Sequence, residues 1–267
     1  MPDPVQAAEF VGVHSTAFFV SALLGLLGTI CLLWWAHGRY ARPQFASRLS
    51  AQSVLMLRIG LGFAVILAAA SVFAELAEWL GVGHSAGEFD DALARTIGAS
   101  APQPMLQFFA WLTRLGNTST LAVLCVVVSA GLLFMKQRLL TLGWIAAVAG
   151  NAVLNTSLKA IFARVRPLHD GLIQATGFSF PSGHSSGSVV AYGMLAYVLM
   201  RARPEWERLP FVLAAAALAF SIGCSRIFLQ VHFASDVLAG FASGSAWLVL
   251  CISSVEVARH LRGSQPR

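Results

Sequence analysis

The sequence predicts an all-α membrane protein, a polytopic bundle of seven transmembrane helices. Three observations carry this reading. The 18 basic and 12 acidic residues make up only 11% of the 267 positions, against about 25% in an ordinary soluble domain. Hydrophobic residues account for 57%, and the mean hydropathy is +0.71. The apolar residues gather into seven runs, most of them close to the roughly 20 residues that a bilayer core asks of a helix. This composition excludes a disordered chain, a nucleic-acid-binding domain and a small disulfide scaffold.

The first run, 16–36, follows a stretch without Lys or Arg, whereas Arg39, Arg42 and Arg48 come after it. That order suits an anchor with its N-terminus outside and does not suit a secretory signal peptide. The second run, 57–79, has Arg58 at its start and Glu75 and Glu78 at its end, which confines its apolar centre to 59–74. The polar stretch 80–114 carries Glu88, Asp90 and Asp91, then Pro102 and Pro104, then Phe108, Phe109 and Trp111. It predicts a short helix at the outer interface, although a connecting loop with one helical turn fits equally.

The third and fourth runs, 115–135 and 139–159, are separated by Lys136 and Arg138. The fifth and sixth, 184–200 and 209–225, are shorter and bounded by polar motifs. The seventh, 235–256, holds Gly240 and Gly244, a GxxxG step that reads as close helix packing. Asn117-Thr-Ser and Asn155-Thr-Ser match a glycosylation pattern, but both lie in or beside apolar runs and are discounted. Cys31, Cys125, Cys224 and Cys251 sit in apolar surroundings without a CxxC pair and read as small buried hydrophobes.

Charge bias sets the sidedness. With the N-terminus outside, the inner segments hold 12 of the 18 basic residues, including Arg39, Lys136, Arg138, Arg201, Arg208 and Arg262. Arg95, Arg114, Lys159, Arg164, Arg166 and Arg226 fall on the outer side; four of these six gather in two short clusters and ask for another explanation.

Three clusters lie there. The first ends the fourth run: Lys159-Ala-Ile-Phe-Ala-Arg164-Val-Arg166-Pro167. Seven residues are about two helical turns, so Lys159 and Arg166 are expected on one face, with Pro167 stopping the helix. Two such cations attract an anion, though Lys and Arg also anchor helix ends at headgroups. The second cluster opens the fifth run: Phe178-Ser-Phe-Pro181-Ser182-Gly183-His184. It reads as a helix N-terminus, with free N–H groups and the positive dipole end. Gly183 permits close backbone approach and Ser182 offers a hydroxyl, which together make an anion cradle. A plain cap by Ser182 beside an interfacial His184 accounts for the same residues.

The third cluster is Ser225-Arg226-x5-His232-x3-Asp236. Four residues apart on a helix, His232 and Asp236 share a face; the carboxylate would hold one imidazole nitrogen and leave the other free as nucleophile or base. Alone, such a pair reads more simply as a helix-end contact. Three such clusters gathered in two outer connections are more specific, because ionisable residues at membrane depth are costly and tend to be functional.

In this order, Lys-x6-Arg-Pro, Pro-Ser-Gly-His and Ser-Arg-x5-His-x3-Asp resemble the three motifs of the type 2 phosphatidic acid phosphatase (PAP2) family, whose superfamily includes bacterial acid phosphatases and vanadium haloperoxidases. The motifs span 159–236 and the broader resemblance about 57–256. It implies a six-helix phosphatase unit at 57–256, preceded by an extra transmembrane helix and cytoplasmic loop at 1–56 and followed by a cytoplasmic tail at 257–267. It also implies roles. Lys159, Arg166 and Arg226 would bind phosphate oxygens, joined by the Ser182 hydroxyl and the Gly183 N–H. His232 would attack phosphorus and form a phosphohistidine, and Asp236 would orient it. His184 would protonate the leaving alkoxide and then activate water. Arg164, Pro181 and Ser225 would back the site. His169 and Asp170 read as solvated loop residues. No metal and no cofactor is required.

The function so implied is hydrolysis of a lipid phosphomonoester or diphosphate at the extracytoplasmic face. The expected partners are the lipid bilayer and a lipid phosphate, with no nucleic acid. Phosphatidic acid, phosphatidylglycerol phosphate, polyprenyl diphosphate and lipid A phosphates all fit, since the motifs address phosphate and not the tail. Phe108, Phe109 and Trp111 are expected at the tail. Lipid phosphotransfer within the same superfamily stays open on the residues alone. An anion-binding transporter is a further alternative, against which stand the lack of internal repeats and the gathering of charge on one face. Ala- and Arg-rich, Lys-poor usage suggests a bacterium, hence a cytoplasmic (inner) membrane with the C-terminus inside.

Overall fold

The computed structural model describes residues 3–41, 51–78, 85–167 and 176–263. Arg42, Arg48, Arg267, His169 and Asp170 lie outside the described residues. The described residues form ten α-helices with short 3-10 and π turns, and no strand is found among them.

Helix α1 (Pro4–Val13) begins with Asp3 accepting from the Val5 N–H at 3.0 Å and with Pro4 at the first helical position, where a missing N–H costs nothing. Helix α2 (Ser15–Ala36) follows almost at once. Helix α3 (Ala51–Glu78) is long and apolar. The stretch expected to hold one interfacial helix holds two, α4 (Ser85–Ser100) and α5 (Gln103–Leu112), divided by Pro102. Helix α4 is amphipathic: Ala92, Leu93 and Ile97 are buried on one face, and Asp90 is buried with them. Helix α1 lies against α4, and Gly12 comes so close to Thr96 that an added Cβ would sit 2.6 Å from its side chain.

Helices α6 (Thr118–Phe134), α7 (Arg138–Phe162), α8 (Gly183–Met200), α9 (Leu209–Phe228) and α10 (Ala234–Gly263) complete the bundle. Helix α8 is its hub, packed against α7, α9 and α10. Between membrane helices no hydrophobic drive operates, so close backbone approach supplies the attraction. The GxxxG step does this: a Cβ at Gly240 would lie 2.6 Å from the Ser182 carbonyl oxygen, and one at Gly244 2.8 Å from Ser186 backbone. In the half of the bundle away from the three motifs, Trp144 and Met194 fill the interior, and the Trp144 indole N–H donates to the Cys125 carbonyl at 3.0 Å.

Five of the described helices are long and apolar enough to cross a bilayer. There are six if the pair Gln103–Gly116 and Thr118–Phe134, bent by 45°, counts as one span. This does not reach the seven expected. The difference lies in α8, which is rich in Ser and Gly because it is enclosed by helices and not by lipid, and in the third run, whose first residues belong to the 3-10 turn Thr113–Gly116. Helix α10 also runs through 257–263, part of the expected tail.

Candidate active site

Lys159, Arg166, Gly183, His184, Arg226 and His232 line one cavity of about 1060 Å³ at one end of the bundle. The three motifs therefore converge. They do so by chain breaks, not by the helical periodicity that the spacing suggests. Helix α7 ends at Phe162, and Ala163 adopts a left-handed conformation with φ +44°. Residues 163–167 then follow without regular structure, so Arg166 lies off the helix and does not share the helical face of Lys159. His232 likewise precedes α10, while Asp236 lies in its first turn.

Arg166 is the most heavily used cation. Its Nε donates to Gly177 O at 3.0 Å, one terminal nitrogen to Val231 O at 2.6 Å, and the other to Thr176 O at 3.3 Å and Phe178 O at 3.2 Å. The nitrogen that reaches Val231 also lies 3.0 Å from His232 Nε2. A guanidinium only donates, so Nε2 accepts there and carries a lone pair, which leaves the ring proton on Nδ1. Burial, the largest cause, holds the His232 imidazole down to about 4 despite Asp236, so the ring is neutral near pH 7. Burial also lowers the Arg166 guanidinium from its ordinary value, without approaching neutrality of this base. Lys159 donates to the Phe178 and Ser179 carbonyls and is thus held beside Arg166.

Arg226 ends α9. The chain then reverses through Gln230 at φ +55°, and the N–H groups of Val231 and His232 both return to the Arg226 carbonyl, at 3.1 and 3.2 Å. That reversal places cation and imidazole on the same wall. One Arg226 terminal nitrogen donates to Thr113 at 2.8 Å, while its buried Nε has no protein partner.

Asp236 is fully buried and divides its two oxygens. Oδ2 accepts from the Phe233 N–H at 2.9 Å, from the Ser179 hydroxyl, and lies 3.4 Å from His232 Nδ1. The return to the Phe233 N–H is the capping contact expected of an acid in the first turn. Oδ1 accepts from Arg164 at 2.7 Å. Arg164 therefore faces carboxylates and not the cavity. Ser182 is fully buried, and its Oγ accepts from the Ser185 N–H at 3.4 Å, so it caps α8; it is absent from the cavity wall. Ser225 bonds back to Ile222 O at 2.6 Å, and the Pro181 carbonyl accepts from Asn155 at 3.4 Å.

Four residues at this site escaped the motif reading. Asn117 Oδ1 lies 3.0 Å from His184 Nε2. Asn155 abuts Gly183, where an added Cβ would meet its Oδ1 at 2.9 Å. Ser179 stands between His232 and Asp236, 3.3 Å from Nδ1. Asp90 reaches Arg164 from α4 at 3.0 Å. The two asparagines were visible as polar residues inside apolar runs, a signal set aside as a glycosylation pattern.

Beyond the cationic end, the cavity continues between α6, α7 and α8 past Leu121, Ala122, Val126, Val148 and Val190. From Lys159 to Val148 this is roughly 16 Å along α7 at 1.5 Å per residue. Phe108, Phe109 and Trp111 do not line it; Phe109 is buried against Phe228, and Phe108 and Trp111 are exposed.

A membrane helix bundle with Lys159, Arg166, Arg226 and a lone-pair imidazole around one cavity fits a membrane phosphatase, a hydrolase of phosphoric esters. Comparison with known proteins agrees. The PAP2 superfamily model matches residues 138–259. Phosphatidylglycerophosphatase B of Bacillus subtilis (strain 168) is 35% identical over 146 residues, covering 53% of this chain and 71% of that protein. A lipid A 1-phosphatase of Rhizobium johnstonii is 30% identical over 184 residues, covering 60% and 71%. The crystal structure of a transmembrane PAP2-type phosphatidylglycerolphosphate phosphatase from Bacillus subtilis matches with a TM-score of 0.66 at 28% identity, over 72% of this chain and 96% of that one. The chain belongs to the PAP2 superfamily and is an integral membrane phosphatase.

Proposed function

We propose that this enzyme hydrolyses the phosphomonoester or diphosphate of a membrane lipid at the extracytoplasmic face, through a phosphohistidine on His232 and without a metal. The observation that carries the reading is one cavity with two ends: cations and His232 at the first, an apolar wall reaching into the bundle at the second. The polar end suits a phosphate, and the apolar end suits the chain of a lipid.

In the first step His232 Nε2 attacks phosphorus and the bond to the lipid oxygen breaks. His184 takes up a proton as the phosphate anion enters beside it and gives that proton to the leaving alkoxide. In the second step His184 takes a proton from water, the water oxygen attacks phosphorus, the P–N bond breaks, and inorganic phosphate leaves. Asp236 stabilises the ring while it is cationic, and Lys159, Arg166, Arg226 and the Gly183 N–H hold the phosphoryl oxygens. The sidedness rests on charge. The site lies where α7 and α9 end and α8 and α10 begin, and the opposite end carries Lys136, Arg138, Arg201, Arg203, Arg208, Arg259 and Arg262. Basic loops tend to stay inside, which supports an outer position for the site.

The decisive experiment measures phosphate release by detergent-purified protein from a panel of lipid phosphates in EDTA. Release that persists in EDTA and vanishes in His232→Ala supports the reading; strict dependence on Mg²⁺ overturns its metal-free step. Release only on addition of an acceptor lipid would move the assignment to phosphotransfer. A second prediction tests the tail assignment. Ala149→Trp fills the apolar end, and lipid turnover is expected to fall roughly tenfold or more while hydrolysis of a small soluble phosphate ester changes little. An equal loss for both substrates removes the tail from this cavity.

A further inference from the structure

Asp90 lies in the segment whose sequence suggested only an interfacial connection, yet it is 3% exposed and points into the bundle. Each of its contacts is a donor. Oδ2 accepts from Arg164 at 3.0 Å and from the Ser235 hydroxyl, and Oδ1 accepts from the Ser235 N–H at 3.3 Å. Arg164 in turn donates to Asp236 Oδ1 and to Ser235 Oγ, both at 2.7 Å, and its guanidinium stacks 4.2 Å from the centre of the Phe233 ring. A second tie joins α4 to the same wall, from Gln230 Nε2 to Ala94 O at 2.8 Å, next to the turn that carries His232.

We propose that Asp90 is a positioning residue for the phosphoryl-transfer site: by holding one side of the Arg164 guanidinium, it leaves Asp236 with one oxygen and one uncompensated negative charge for His232. The inference rests on His232 acting as the nucleophile. Two facts support it. First, an arginine offered to a single carboxylate tends to grip both oxygens. Here the fork is shared, so Asp236 gives Arg164 only Oδ1 and keeps Oδ2 toward His232 and Ser179. Second, the charges must be counted. Asp236 with Arg164 alone is neutral. Asp90, Arg164 and Asp236 together carry one net negative charge beside a ring that becomes cationic when phosphorylated. On balance burial raises the Asp90 carboxyl above its ordinary value against Ser235 and Arg164; its ionised form is read from its contacts, which are all donors and include a guanidinium. The charged groups around His232 are Asp236, Arg166 and Arg226, with Arg114, Lys159 and the titratable His184 also lining the cavity, so Asp90 supplies the only further anion tied to Asp236 through Arg164 among the described residues.

The test uses the full-length protein in detergent with a lipid phosphate, and inorganic phosphate as competitor. Asp90→Asn, nearly isosteric, is expected to lower kcat roughly tenfold or more while the inhibition constant for phosphate moves less than about threefold. Asp90→Glu is expected to recover much of the loss. Combining Asp90→Asn with Arg164→Gln is expected to cost less than the product of the single effects, because both act through Asp236. A merely structural Asp90 would lower the melting temperature, phosphate affinity and kcat together, which overturns the inference, as does a kcat within twofold of the parent. His232→Ala is run alongside. If His232→Ala is inactive and Asp90→Asn is normal, this inference alone fails; if His232→Ala still turns over, the reading of the nucleophile fails first.

Discussion

His232→Ala is expected to abolish turnover, with a loss on the order of 10⁴-fold or more, the scale seen when a nucleophile is removed. Inorganic phosphate should still compete for the cavity, because Lys159, Arg166, Arg226 and the Gly183 backbone remain. The reason is in the ring's surroundings. Burial keeps the imidazole neutral near pH 7, and Arg166 addresses the nitrogen that faces the cavity, so the lone pair lies where phosphorus would arrive. Labelled substrate quenched in alkali should leave label on the parent protein and none on the variant. Turnover within tenfold of the parent would remove His232 from the chemistry and return the motif to a helix-end contact.

Arg166 is expected to produce the next largest effect. All five guanidinium hydrogens have acceptors: three carbonyls of the segment 176–178, the Val231 carbonyl and His232 Nε2. In the proposed mechanism, an entering phosphate draws the hydrogen nearest His232 away from the ring, which uncovers Nε2 as the substrate binds. Arg166→Gln should lower kcat/KM by roughly 10²- to 10³-fold, the cost of losing one preorganised donor to a developing oxyanion. Arg166→Lys keeps the charge but not the fork, and a loss of roughly tenfold or more is expected to persist. Full activity in Arg166→Lys would mean that charge alone matters there. Steady-state kinetics on a soluble phosphate ester checks both without involving the lipid tail.

Lys159, Arg166, His184, Arg226 and His232, which meet in the cavity, were visible as motif residues, but the geometry that brings them together was not. Lys159 and Arg166 looked like helical neighbours; the left-handed Ala163 ends the helix before Arg166, which lies off it. His232 and Asp236 looked like one helical face; a reversal at Gln230 and a capping contact to Phe233 set them instead. Arg164 looked peripheral because it is two residues from Arg166, yet the irregular chain after α7 turns it toward Asp236 and Asp90. Asn117 and Asn155 carried a polar signal in apolar runs. Asp90 carried none, since an acid in a polar connecting stretch is ordinary until its neighbours are known.

What the amino-acid sequence determined by itself is chemical and local: an apolar, sparsely charged chain that must form helices in a bilayer, because only paired backbone is tolerated there, and three ordered motifs whose cations and imidazoles match those of the PAP2 family. What only the tertiary structure decided is which side chains share a space. The Ser182 hydroxyl caps a helix, Arg164 joins two carboxylates, the apolar half of the cavity runs along α6 to α8 and away from Phe108 and Trp111, and α8 is enclosed by protein. These are long-range facts. Asp90 and Arg164 are 74 residues apart and Arg226 and Thr113 are 113 apart, and no periodicity within one helix encodes a contact across that distance. They follow from how closely α10 can approach α8 at Gly240 and Gly244, and from where each helix stops.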